Sequence, residues 1–179
     1  MTLLDRLLEH DRWTTRRLLE SCAGLDDAAL DREFDIGLRT LRATFHHVIR
    51  NMEIWSGLMD GSLTPADRAS LSTDTSLAGL ATRLEAAADR LGRLARDVAA
   101  RNAWDETWVD TFDDPPTSKS FGGAIGHVIT HSMHHRAQII HMLRRSGVTD
   151  VPEGDVLGWE GEVSASRRRP RTPPTRTAP

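Results

Sequence analysis

One cysteine, one lysine and no tyrosine stand among the 179 residues, and no long apolar run occurs anywhere. With Cys22 alone, the chain can form no internal disulfide and no thiolate cluster of the zinc-finger type, so any metal must be held by nitrogen and oxygen. A bilayer span needs about 18 consecutive apolar residues, and none exist. The opening Met1-Thr-Leu-Leu-Asp5-Arg6 brings charge too early for a secretory signal. The chain therefore reads as cytoplasmic, with no membrane association. Lys119 is the lone lysine; arginine supplies the other 22 of 23 cationic side chains, a codon-usage signature more than a functional one. The net charge of −3 hides an asymmetry, because residues 160–179 contribute +3 and leave −6 on residues 1–159. So acidic a body makes nucleic acid an unlikely partner. Without tyrosine, the aromatic character rests largely on Trp13, Trp55, Trp104, Trp108 and Trp159, which read chiefly as core or interface anchors.

Histidine, by contrast, is plentiful and clustered. Of eight histidines, four fall at His127, His131, His134 and His135, and two more form the pair His46-His47. A helix advances by about 100° per residue, so His131 and His135 stand one turn apart on one face and can grip one cation. His127 continues that face one turn earlier but reads as a helix-start histidine bonded to backbone or solvent, while His134 points about 60° away from His131. A pair supplies only half a site; the best donor for the remainder is His46 or His47. Neutral imidazole suits divalent zinc, nickel, iron or copper. No His-Glu-x-x-His is present, which argues against a zincin protease. Three nitrogens without a fourth protein ligand leave an open position, the mark of catalytic rather than structural sites.

Apolar residues at helical spacing predict four long helices: about Thr2 to Cys22, Leu38 to Met59, Ser76 to Val98 and Ser120 to Arg145. Gly24, Gly61 and Gly147 are natural stops. Between the third and fourth, Trp104, Trp108, Phe112 and Asp113-Asp-Pro-Pro116 break the pattern, which predicts a loop with a short strand pair. The reading is an all-α, up-down four-helix bundle over residues 1–160, followed by a disordered Arg/Pro-rich tail over 161–179.

Two stretches carry a resemblance. Thr40-Leu-Arg-Ala-Thr-Phe-His46-His47-Val-Ile-Arg-Asn-Met-Glu53-Ile-Trp55 and His127-Val-Ile-Thr-His131-Ser-Met-His134-His135-Arg136-Ala137-Gln138 resemble the second-helix pattern and the His-x-x-x-His-Arg-Gly-Gln signature of the DinB/YfiT-like superfamily of four-helix-bundle metalloproteins. Trp13, Leu18 and Leu19, and the later Val151-Pro152 and Asp155, fit as well, so the likeness spans roughly residues 1–160. It implies a three-histidine metal site at His47, His131 and His135, choosing His47 over His46. It also implies a divalent ion, commonly zinc or nickel, and a homodimer. For some members it implies a small-thiol transferase or isomerase acting on a small-molecule substrate, with a low-molecular-weight thiol such as mycothiol as cosubstrate. Ala137 departs from the glycine of the signature by one methyl. Glu53 falls six residues after His47 where five is the pattern, and reads as a surface ion-pairing residue. Arg136 and Gln138 read as residues that orient ligands or bind an anionic substrate, or else as helix-surface pairs.

The leading functional expectation is a metal-dependent enzyme. The alternative is a non-catalytic stress or ligand-binding module in which the metal pins two helices. A nucleic-acid accessory role through the basic tail ranks third.

Overall fold

The computed structural model describes residues 1–168, which are mostly helical with one small hairpin. Four long helices dominate: α1 (Leu3–Glu20), α3 (Leu41–Met59), α4 (Leu77–Arg101) and α5 (Phe121–Arg145), with the short α2 (Asp27–Leu30) between the first two. Each long helix starts where a hydroxyl can satisfy an orphan amide. Thr2 and Asp5 form a reciprocal capping box on α1. Thr40 accepts from the Ala43 amide on α3, Ser76 from Gly79 on α4, and Ser120 from Gly123 on α5. Ser120 also ends strand β2 (Thr117–Ser120), which pairs antiparallel with β1 (Thr107–Asp110). The hairpin thus feeds directly into α5 and fixes where that helix begins.

Helix directions follow from the ion pairs between them. Asp5 meets Arg96, and Arg12 meets Glu85 and Asp89, so α1 and α4 run antiparallel. Glu53 meets Arg83 and Asp60 meets Arg90, so α3 and α4 run parallel. His47 meets His131 and His135, while Trp55, two turns later on α3, meets the earlier His127; α3 and α5 are antiparallel. The directions along the chain are up, down, down, up, which corrects the alternating up-down order expected from the sequence. The reason lies in the connection from Asp60 to Ser76. At up to about 3.3 Å per residue it is long enough to run back along α3, whose 19 residues rise by about 1.5 Å each.

Leu18, Phe45, Ile49, Met52, Leu80, Leu84, Leu91, Ile139, Met142 and Leu143 fill the space between these four helices and are almost wholly buried. Cys22 belongs to the same core, its thiol pushed up to about 12 by burial, so it packs as a small apolar residue and not as a nucleophile.

Residues 26–31 include the one-turn helix α2, capped by the Asp26 side chain on the Ala29 amide. One further expectation needs correction. Residues 161–168, assigned to a disordered tail, are the later turns of a sixth helix, α6 (Val156–Arg168). The apolar content of α6 is low, yet Val156, Trp159 and Val163 recur at helical spacing. Trp159 is buried, edge-on to the His10 ring of α1. The rest of the expected tail, residues 169–179, lies outside the described residues. Among the described residues no helix is long and apolar enough to cross a membrane.

Candidate metal centre

The antiparallel contact of α3 with α5 brings three imidazoles to one point. His47 Nε2 lies 3.1 Å from His131 Nε2, and His135 Nε2 lies 3.2 Å from the same atom. His47, His131 and His135 are half-buried, and they are the group among the described residues that could hold a metal ion. The arrangement does not satisfy itself. An imidazole nitrogen carries either one proton or one in-plane lone pair, so His131 Nε2 cannot hydrogen-bond to both neighbours. A cation at the centre would accept all three lone pairs at once. The Nδ1 of His131 is buried with no hydrogen-bond partner.

Electrostatics favour the neutral, ligating form. Burial, followed by the neighbouring His135 and His47 rings, lowers His131 to about 4. Burial and His135 likewise lower His47. At neutral pH the His131 lone pair is therefore free. The unfolded ring protonates near 6.5 and the folded ring only near 4, so the unfolded chain binds the extra proton between those values. This contribution to stability is fully present above pH 6.5 and is lost as pH falls toward 4. Metal-free protein is expected to lower its melting temperature across that window, and His131→Ala to flatten the slope in part, leaving the components from His46, His47 and buried His10, which shift the same way. A melting curve equally steep in wild type and variant would contradict it.

His46, the other half of the pair in α3, turns toward α4. Its Nδ1 accepts from Arg83 Nη1 at 3.0 Å, and Arg83 also clasps both oxygens of Glu53, at 2.9 and 2.8 Å. Glu53 is thus not the surface ion-pairing residue expected from sequence: its Arg83 partner is 8% exposed and Glu53 itself 17%. It braces α3 against α4 and stays out of the histidine cluster. His127 is exposed, but it lies nearly two turns into α5 and not at the helix start; its ring stacks obliquely on Trp55 with ring centres 4.9 Å apart and lies 5.2 Å from His131. Trp108 of β1 stands edge-on to Trp55 at 6.0 Å, extending an aromatic row from the histidines to the hairpin.

One placement escaped the sequence, and another decides between the sequence readings. Arg136, read as a ligand-orienting or surface residue, points away from the cluster into the α1–α5 interface. There its Nη1 donates to Asp11 Oδ1, both side chains almost fully buried. Gln138, by contrast, reaches the cluster: His135 Nδ1 donates to its Oε1 at 2.8 Å, and its Nε2 donates to His134 Nε2 at 2.9 Å. The spacings of three and four residues along one helix were available to find that chain.

A mostly helical protein in which two antiparallel helices gather three imidazole nitrogens belongs to the class of helical histidine-site proteins. A family model described as the DinB family matches residues 1–159, and the chain belongs to that family. No curated protein matches it.

Proposed function

We propose that this protein is a divalent-metal-dependent enzyme of the small-thiol transferase or isomerase type, with zinc or nickel held by His47, His131 and His135. The observation that carries the proposal is the convergence of three Nε2 atoms on one point, with no carboxylate or thiol joining them. When bound, the ion would supply a Lewis acid able to lower the pKa of a thiol or water in its open position. The chain's own part is to hold the three rings in place and to shape the approach. His135 keeps its proton on Nδ1 through Gln138, leaving Nε2 free. Trp55, Trp108 and exposed His127 flank the cluster and suit an apolar or aromatic electrophile. In the same reading the long helices form a four-helix bundle and the protein acts as a cytoplasmic homodimer on a small molecule.

Metal analysis of protein purified without an affinity tag should find about one divalent ion per chain, the stoichiometry of an open three-nitrogen site. Adding a low-molecular-weight thiol and an electrophile should then give turnover that a chelator abolishes. Absence of stoichiometric metal would sink the proposal. One observation favours the alternative, a non-catalytic ligand-binding module with a structural metal. A groove of about 850 Å³, lined by Arg12, Trp13 and Trp159 between α1 and α6, includes none of the three histidines. Ligand binding that survives His131→Ala would support that alternative.

A further inference from the structure

We infer that Gln138 is a positioning residue for the histidine cluster, oriented by His134 on one side and by the bare backbone of Gly37 on the other. The inference rests on the metal reading above. An imidazole that ligates through Nε2 must carry its proton on Nδ1, and that proton needs an acceptor. For His135 the acceptor is Gln138 Oε1, at 2.8 Å. An amide has two unlike ends, however, and the wrong one would undo the site. Turned over, it would present its NH2 to Nδ1, drive the proton to Nε2 and remove the lone pair that faces His131.

One contact selects the productive orientation and a second confines the amide. Gln138 Nε2 donates to His134 Nε2 at 2.9 Å, so His134 serves as the acceptor that the amide NH2 seeks. Gly37, in the loop between α2 and α3, covers the amide from outside. Its φ is +49°, in the left-handed region that favours glycine, and there is no room for a side chain. A Cβ at this position would collide with Gln138 Oε1 and stand 2.6 Å from Cδ and 3.0 Å from Nε2. The loop backbone therefore packs directly on the amide and confines it. A loop far upstream in sequence thereby acts on the proton of a ring in α5.

The test uses imidazole nitrogen NMR on metal-free protein and chelator competition with cobalt or zinc. In wild type, His135 should carry its proton on Nδ1; in Gln138→Met the proton should shift toward Nε2 and metal affinity should fall by about 10- to 100-fold. Gln138→Glu keeps an acceptor and should restore the Nδ1 proton and most of the affinity. Gly37→Ala should weaken affinity more in the wild-type background than in Gln138→Met. The strain of a positive φ acts in both backgrounds and cancels in the cycle. An unchanged tautomer in Gln138→Met with affinity within about twofold of wild type would overturn the inference, against the loss that such outer contacts ordinarily produce. Equal losses from Gly37→Ala in both backgrounds would remove Gly37 from it. Wild-type protein that binds no metal would defeat the metal reading instead, with the nitrogen spectra still deciding the tautomer.

Discussion

Replacing His131 by alanine is expected to reduce bound divalent metal from about one ion per chain to less than about a tenth, a larger loss than any outer-contact variant should cause. His131 Nε2 is the vertex shared by the other two nitrogens. Without it, His47 and His135 remain as two ligands on separate helices. The stability gained from metal should vanish with it. An ion at a hundredfold excess over its dissociation constant adds about 2.7 kcal/mol. In a chain of this size that corresponds to roughly 5–10 °C in melting temperature. Differential scanning with and without added zinc or nickel reads this directly. The metal-free variant should melt close to metal-free wild type, because the substitution also removes a buried nitrogen that has no partner. A metal-dependent shift that persists in His131→Ala would refute the assignment.

Asp11→Ala should be the most destabilising single change away from the histidines. The carboxylate is 2% exposed and bonds to Arg136, which is equally buried, so its removal strands a guanidinium inside the α1–α5 interface. Breaking a buried pair from one side costs about 3–5 kcal/mol. Burial raises the Asp11 carboxyl, even as the guanidinium pulls it down. Desolvation thus offsets much of the pair's attraction, and replacing both partners should be far milder. The double variant Asp11→Leu/Arg136→Met is expected to recover most of the loss in urea denaturation, while Asp11→Ala alone lowers the midpoint sharply. If single and double variants were equally unstable, the loss would lie in packing and not in the stranded charge.

These two predictions also mark what could be read from the sequence. His131 and His135 declare themselves through a spacing of four on a helix, because that geometry is local. His46 and His47 are indistinguishable by periodicity alone. The resemblance favours His47, and the structure adds a physical reason by turning His46 onto Arg83. The hairpin before α5 was visible in its turn residues. Helix direction was not, since an apolar stripe records which face is buried and nothing about which way the neighbour runs. The Asp11–Arg136 pair was equally hidden: a charge on an amphipathic helix looks solvated until its partner on another helix is placed. For α6, composition misled, because Val156, Trp159 and Val163 anchor a helix whose remaining residues, Leu157 apart, are polar or small.

The histidine grouping joins residues 84 positions apart, His47 on α3 and His131 on α5, with only His135 nearby in sequence. Such a grouping cannot exist until α3 and α5 have docked. An ion gripping all three rings would therefore act chiefly on the exit from the native state. Its addition would slow unfolding while leaving the folding rate nearly untouched. The cluster would then set the lifetime of the folded molecule, not the speed with which it forms.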